Sequence, residues 1–200
     1  MTATLEFYPL TPERWEDIKT LFENDTVCRA CWCMWWRISA SEWTKRRGKQ
    51  NRNLLKALVN SGKAPGIIAY SDGQPIGWCS VAPREEYTRL ERSRTLKRID
   101  EKPVWSVVCF FVSKPFRRKG ISTKLLQAAV DHAKEQGATI IEGYPSKCEK
   151  RQQDSLVYTG LVSAFQKVGF KPVADSKTRI MMRCCVEKQI RDDRRTQHSP

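Results

Sequence analysis

The sequence predicts an α/β fold built on a mixed, mostly antiparallel sheet. Residues 104–112 form a nearly unbroken apolar run, which suits a strand buried on both faces. Residues 121–136 follow it directly and repeat apolar positions at helical spacing. Two strand pairs, at 66–81 and 170–184, indicate antiparallel hairpins, whereas a short apolar segment at 138–144 should lie parallel to the first strand through a right-handed crossover.

The N-terminal third is predicted to hold one strand and two helices. Residues 5–10 alternate weakly between apolar and polar types and indicate a strand. Thr11 followed by Pro12 is a typical helix start, and apolar residues recur at helical spacing after it. A second helix is predicted from Ser41 to Asn60, although Gly48 weakens its middle.

The later connections are more polar than the elements they join. Residues 84–102 are dense in charges of both signs, so we predict an exposed excursion with some helix and with its Arg and Lys side chains on the surface. A short helix over 161–168 is predicted to end at Gly169. Residues 187–200 carry no apolar pattern, so we expect a flexible charged tail after a single domain over residues 1–186.

Composition limits the possible functions. The 200 residues carry a formal charge of +14, from 36 basic and 22 acidic side chains, which favours anionic partners. The first thirty residues contain no long apolar run after a basic start, so no signal peptide is predicted. No segment approaches the length needed to span a bilayer. We therefore expect a cytoplasmic protein without a membrane partner.

The segment Cys28–Arg37, which reads CRACWCMWWR, is the least ordinary stretch of the chain. The spacing of its three cysteines suits zinc, but a structural site needs a fourth ligand, and no paired Cys-x-x-Cys or His follows downstream. We therefore expect reduced thiols and no metal. The tryptophans of this segment would either shape a binding pocket or fill the core, and both interpretations stay open. They are Trp32, Trp35 and Trp36.

A basic turn, Arg117-Arg118-Lys119-Gly120, separates the central strand from the helix after it. The first turn of a helix leaves backbone N–H groups without internal partners, and the helix dipole adds partial positive charge there. A glycine lets a ligand approach the backbone closely. The turn therefore predicts a binding site for a diphosphate or polyphosphate.

The same turn resembles the acyl-coenzyme A signature of the GNAT acetyltransferase superfamily. That signature reads Gln or Arg, two residues, Gly, one residue, then Gly or Ala; Arg117 and Gly120 match it, with Ser122 as a small substitute in the last place. Residues 163–170, which end in Gly-Phe, are similar to the late helix of the family. The resemblance extends over about residues 66–183, and the Cys-Trp-Cys-Met-Trp-Trp-Arg segment is similar to one found in a subfamily.

The resemblance implies an N-acetyltransferase that moves acetyl from acetyl-CoA to the primary amine of an acceptor by direct attack in a ternary complex. It implies helices on both faces of the sheet and two parallel strands that splay apart to admit the coenzyme arm. The coenzyme residues that it implies are Phe110, Phe111, Val112, Arg117, Arg118, Lys119, Gly120, Ile121, Ser122 and Thr123. The acceptor, a small molecule or a protein amine, would lie beside Trp32, Trp35 and Trp36. A monomer and a homodimer both fit.

The residues for proton transfer depart from the family pattern. The family tyrosine commonly stands four residues before the late Gly-Phe, and Phe165 holds that position here. Tyr158 is the substitute general acid and Tyr144 the second candidate, although each also fits a packed, hydrogen-bonded role. Glu142 is the only carboxylate on the two parallel strands and the candidate general base; alternatively it points away and makes a salt bridge.

Two other functions stay open at this stage. The missing family tyrosine fits a non-catalytic acyl-CoA-binding module, which would bind the coenzyme without turnover. The charge fits an RNA- or ribosome-associated protein, but no recognised RNA-binding module is present, so nucleic acid is not the favoured partner. Binding of acetyl-CoA would exclude the RNA- or ribosome-associated protein, because only the acetyltransferase and the non-catalytic module are expected to bind the coenzyme.

Overall fold

The computed structural model describes residues 3–147 and 158–187. Within these residues the strands form one seven-stranded sheet in the order β1-β2-β3-β4-β5-β7-β6. Only the β4–β5 pair is parallel, so the predicted mixed, mostly antiparallel sheet is confirmed. The strands are β1 (Leu5–Pro9), β2 (Gly66–Ser71), β3 (Gln74–Pro83), β4 (Trp105–Val112), β5 (Ile140–Gly143), β6 (Lys171–Asp175) and β7 (Ile180–Cys185).

Seven α-helices accompany the sheet in the described part of the chain. They are α1 (Trp15–Glu23), α2 (Thr26–Cys31), α3 (Ala40–Lys45), α4 (Lys49–Asn60), α5 (Thr88–Glu91), α6 (Ile121–Glu135) and α7 (Val162–Lys167). None of these helices has both the length and the apolar composition that a membrane crossing would need. Apart from Glu187, the predicted tail lies outside the described residues.

Helices cover both faces of the sheet, as expected. Successive residues of a strand point to opposite faces, and β2 shows the division. Ile67 and Ala69 pack in one core cluster with the apolar face of α6. Ile68 and Tyr70 point the other way and pack with α1 and the end of α4. Nearly every side chain of β2 is therefore buried, as its apolar sequence indicated.

The single helix predicted over Ser41–Asn60 is wrong, because two helices, α3 and α4, occupy that stretch. Gly48 interrupts them with a φ of 73°, in the left-handed region that favours glycine. A capping box between Ser39 and Glu42 fixes the start of α3. Helix α2 was not predicted at all; the Asp25 carboxylate caps it by accepting from two backbone N–H groups of its first turn.

The two parallel strands separate partway along their length. Their register runs from Trp105 opposite Ile141 to Val107 opposite Gly143, whereas β4 continues to Val112. The second half of β4 therefore has an edge on the β5 side that no strand of the described chain pairs, which we call the free edge of β4, and β3 covers its other edge. This is the splayed pair that the sequence resemblance implied.

The charged region after β3 is only partly a surface feature. Most of its Lys and Arg side chains are exposed or half-buried, as predicted. The prediction is wrong for Arg84, which is 1% exposed. Burial is tolerable there because its guanidinium donates to the carboxylates of Glu91 and Glu142 and to the Leu96 carbonyl, at 2.6–2.7 Å.

Candidate functional site

The basic turn before α6 lies open to solvent. Gly120 precedes the helix with a φ of 76°, and no described side chain caps the first turn. A Cβ added at Gly120 would meet nothing within 4 Å. Arg118 and Lys119 are exposed beside it. The turn therefore presents free backbone donors and two cations to one open space, an arrangement suited to a diphosphate.

The other predicted coenzyme residues divide between this turn and β4. Arg117 connects the two, since its Nε donates to the carbonyl of Val112 at 2.7 Å. Ile121 is buried under the helix, while Ser122 and Thr123 lie half-buried in its first turn. Phe110 and Phe111 belong to the part of β4 beyond its pairing with β5. These residues thus follow one path from the free edge of β4 to the turn.

A second chain segment lies against the free edge of β4. The Phe110 N–H donates to the Tyr158 carbonyl at 2.6 Å. Two residues on, a Cβ at Gly160 would come within 2.8 Å of the Phe165 ring and 3.1 Å of the Phe110 ring. The segment that leads into α7 therefore accepts the hydrogen bond of a backbone amide that the resemblance assigns to the pantetheine arm.

Glu142 lies in a buried network rather than beside an open cleft. It is fully buried, and it accepts hydrogen bonds from Arg84 Nη1 at 2.6 Å, Arg183 Nε at 2.7 Å and the Tyr144 hydroxyl at 2.5 Å. Both carboxylate oxygens are thus engaged. These contacts match the alternative interpretation, a salt bridge, and the role of general base stays a prediction.

The network continues to the surface through Arg183. Its guanidinium donates to Asp100 at 2.7 Å, and these hydrogen bonds hold the pKa of the Asp100 carboxyl below its ordinary value. Burial, with the Glu142 charge nearby, raises the pKa of Tyr144 well above its ordinary value, so its hydroxyl stays protonated. We call Arg84, Asp100, Glu142, Tyr144 and Arg183 the buried network.

The three tryptophans of the Cys-Trp segment have different environments. Trp32 is 2% exposed and packs between Trp15 and Phe22, with ring centroids at 6.0 and 5.6 Å. It therefore fits the core interpretation. Trp35 is half-buried and lines an open cavity, which fits the pocket interpretation. Trp36 lines the same cavity but is only 7% exposed and packs in a core cluster, so both interpretations apply to it.

This cavity has a volume of about 420 Å³. It lies where α3 and α5 meet the segment before α7 and the connection between β6 and β7. Its described lining contains three arginines, three aromatic side chains, three Ser or Thr side chains and no acidic side chain. We call it the arginine cavity. Its lining comprises Arg89, Arg92, Arg179, Trp35, Trp36, Tyr158, Ser39, Thr88, Ser93 and Ala40.

Tyr158 connects the arginine cavity with the free edge of β4. Its ring lines the cavity, its carbonyl accepts from Phe110, and its hydroxyl accepts from Arg179 Nη2 at 3.3 Å. Burial raises the pKa of Tyr158 above its ordinary value of 10.0, so the hydroxyl is protonated at neutral pH. A protonated hydroxyl in this place suits a proton donor, and that role stays a prediction.

The clustered cysteines pack as free thiols. Among the described residues, no group of three or more His, Cys, Asp or Glu side chains is arranged to hold a metal ion. Burial raises the pKa of Cys28 and of Cys31. Cys33 is buried, and its Sγ accepts a hydrogen bond from Trp78 Nε1 at 3.3 Å.

Sequence reasoning missed the arginines of the cavity. Arg89 and Arg92 were predicted only as surface residues, and Arg179 was given no role. No local pattern marks them, because their meeting depends on contacts between distant segments; the N–H of Arg89, for instance, donates to the Trp36 carbonyl at 3.0 Å. The overall excess of positive charge was the only available signal.

Known proteins resemble this chain in sequence and in fold. Residues 32–153 match the acetyltransferase (GNAT) family. No curated protein matches the chain significantly.

Solved structures share the fold at low sequence identity. A PaiA N-acetyltransferase from Thermoplasma acidophilum, in complex with coenzyme A, is 18% identical; the match covers 92% of this chain and 99% of that one, with a TM-score of 0.52. A GNAT-family acetyltransferase from Listeria monocytogenes is 11% identical over 93% of this chain and 99% of that one, with a TM-score of 0.56. A chain of the NatC complex bound to Gag peptide and CoA is 13% identical over 92% and 99%, with a TM-score of 0.52.

Proposed function

This chain belongs to the GNAT acetyltransferase family, and on that premise we propose that it transfers acetyl from acetyl-CoA to a primary amine held in the arginine cavity. The observation that carries the proposal is the position of Tyr158, which contacts both the free edge of β4 and the cavity. An acceptor in the cavity would thus lie next to the strand along which the coenzyme arm is expected. Both substrates could be bound together, as direct transfer requires.

The chain offers a fitting site for the coenzyme. The exposed turn at Arg118, Lys119 and Gly120 would hold the diphosphate, because a Cβ at Gly120 meets only open space and no described side chain caps α6. The backbone of Phe110 to Val112 would hold the arm. Acetyl-CoA supplies the acetyl group as an activated thioester.

The cavity itself can prepare the acceptor for attack. An amine must be neutral to act as a nucleophile, and nearby positive charges disfavour its protonated form. Arg89, Arg92 and Arg179 therefore lower the pKa of an amine bound beside them. This effect reduces the need for a general base, which agrees with the engagement of Glu142 elsewhere. Tyr158 is the candidate donor of a proton to the leaving thiolate.

The test is titration calorimetry with acetyl-CoA on the wild type, on Gly120→Trp and on Gly137→Trp. The two glycines lie at opposite ends of α6, at φ values of 76° and 87°, and a Cβ at either meets nothing within 4 Å. A side chain at either position is therefore strained to a similar extent, roughly 1–2 kcal/mol. Only the Gly120 change places an indole where the diphosphate would bind.

We expect micromolar binding by the wild type and by Gly137→Trp, and a loss of at least about tenfold in Gly120→Trp. Transfer is then measured by mass spectrometry of the acetylated amine, because the free cysteines would react with thiol reagents. A folded wild type that does not bind acetyl-CoA would overturn the proposal. Tight binding with no transfer to any amine would favour a binding module instead.

A further inference from the structure

The arginine cavity carries positive charge that no carboxylate of the described residues neutralises. Among the described residues, Arg89, Arg92 and Arg179 form no ion pair with a carboxylate. Glu42 is close enough for the Arg92 charge to help lower its pKa, but its own hydrogen bonds go to Ser39. Three cations thus line one cavity without a paired carboxylate in the described part of the chain.

Arg89 is the most exceptional of the three. Its guanidinium lies over the Trp35 ring at 3.7 Å from the centroid. Its Nε and Nη2 are buried and have no hydrogen-bond partner in the described structure, and the same holds for Nε1 of Trp36 beside it. A guanidinium that loses water and gains no acceptor retains a poorly compensated charge. An anion in the cavity would supply the compensation.

Within the described residues, the hydrogen bonds that hold Arg179 in position go to neutral oxygens. It donates to the carbonyl of Tyr144 at 3.4 Å, to the Tyr158 hydroxyl at 3.3 Å and to the hydroxyl of Thr159. These contacts orient the side chain without reducing its charge. Such a preorganised cation binds an anion at a smaller entropic cost than a mobile one.

We infer that the acceptor is a small amine that also carries an oxyanion, either a carboxylate or a phosphate, which Arg89, Arg92 and Arg179 bind. Arginine is the residue best matched to both groups, because its planar donors pair with two oxygens. A volume of about 420 Å³ suits a small molecule. The rings of Trp35 and Tyr158 offer apolar contact to the rest of the acceptor. Amines with several positive charges would be repelled.

This inference rests on the proposed function for the transfer step. In that step the amine nitrogen forms a bond to the acetyl carbon while the carbon–sulfur bond breaks. The amine loses one proton, and the thiolate that leaves takes one up. Binding of the oxyanion does not depend on the coenzyme, so it can be tested separately.

The first experiment measures binding without coenzyme, by quenching of tryptophan fluorescence. The probes are N-acetylphenylalanine and its uncharged amide, with glycerol 3-phosphate and glycerol as the phosphate pair. We expect the charged member of at least one pair to bind at least about tenfold more tightly than its neutral partner. The pair that shows the difference identifies the oxyanion. Equal affinities within both pairs would overturn the inference.

A matched pair of variants locates the effect. Arg92→Gln removes a cation of the cavity, whereas Arg94→Gln removes an exposed cation two positions away that does not line it. Both side chains are exposed, so both variants should fold. We expect Arg92→Gln to weaken the charged probe by about tenfold and Arg94→Gln to have almost no effect. An equal loss in both would indicate only a diffuse surface field, and the inference would fail.

The second experiment measures acetyl transfer to matched amines. Phenylalanine is compared with phenylalaninamide and phenethylamine, phosphoethanolamine with ethanolamine, and spermidine serves as the polycation. We expect the amines that carry an oxyanion to have kcat/KM values at least about tenfold higher than their partners. A preference for amines without an oxyanion, or for spermidine, would overturn the inference and leave the proposed function standing. Failure of acetyl-CoA to bind would overturn the proposed function, and the probes would still decide the oxyanion site.

Discussion

Arg84 and Arg89 lie in the same short segment after β3, yet only the charge of Arg84 is compensated by carboxylates of the described residues. Arg84 is almost completely buried and donates to two carboxylates in and beside the buried network. Arg89 lies over a tryptophan ring, and two of its nitrogens have no acceptor in the described structure. One arginine is fully compensated inside the protein, and the other borders an open cavity.

The difference shows that compensation, rather than charge itself, distinguishes a structural arginine from a binding one. A buried ion pair is costly to break, because removal of one partner strands the other charge. An uncompensated cation on a cavity is instead available for a ligand. The net charge of +14 contains both kinds and does not separate them.

The largest effect is expected from Glu142→Gln in the buried network. The change leaves Arg84 and Arg183 without the carboxylate between them, so the free energy of unfolding should fall by about 3–5 kcal/mol. Denaturation by urea measures it, with the exposed Glu16→Gln as a control that should change stability little. Normal stability with lost turnover would contradict a structural role for Glu142 and favour its role as the general base.

The same contrast is expected between two tryptophans. Trp32→Ala removes a ring from the core and should cost about 3–5 kcal/mol of unfolding free energy. Trp35→Ala should cost less, because Trp35 is half-buried at the cavity, but it should weaken the charged probes by removing the ring under Arg89. Thermal unfolding and probe binding together test the pair. Equal destabilisation with unchanged probe binding would assign both rings to the core.

A smaller effect is expected from Tyr158→Phe, which removes only the cavity hydroxyl. If that hydroxyl donates a proton, kcat should fall by about 100-fold while acetyl-CoA binding is unchanged. Because burial raises the pKa of Tyr158 above 10.0, its deprotonation should not reduce the wild-type rate between about pH 6 and pH 9. The exposed Tyr8→Phe is the control. An unchanged kcat would assign Tyr158 to packing and to the positioning of Arg179.

The smallest expected effect is on thermal stability at low pH, and it comes from Asp100 of the buried network. The pKa of Asp100 in the folded state lies below its ordinary value of 3.8, mainly because Arg183 donates to it. The resulting stabilisation is present above that value and is lost as the pH falls through the folded pKa. Asp100→Asn should therefore flatten the decline in melting temperature below about pH 4. An unchanged decline would show that other carboxylates cause it.

Much of the fold was predictable because its signals are local. The apolar run of β4, the helical periodicity of α6 and the hairpin over 66–81 each reflect neighbouring residues, and all three are confirmed. The errors arose where a single residue changes the direction of the chain. Gly48 divides one predicted helix into two, and the Asp25 cap starts a short helix within a segment of no clear pattern.

The candidate site was less accessible to sequence reasoning. The turn at Gly120 could be proposed from the sequence because it lies within one short segment, and its role as a diphosphate site stays a prediction. The arginine cavity needs four distant segments, and the pairing of Arg84 with Glu142 needs two. The tryptophans could not be separated either, because Trp32 adopts a left-handed conformation that ends α2 and so breaks the spacing to Trp35.

The hydrogen bond from Phe110 to Tyr158 has a consequence for the order of events. A backbone N–H satisfies one acceptor well at a time, so a ligand that accepts from Phe110 must displace the Tyr158 carbonyl. The displaced segment also forms one wall of the arginine cavity. A ligand that binds at the free edge of β4 would therefore change the shape of the arginine cavity. By thermodynamic linkage, a ligand in the cavity would then change the affinity for the first ligand by the same factor. A coenzyme arm bound at Phe110, as proposed, would therefore be coupled to the binding of the acceptor.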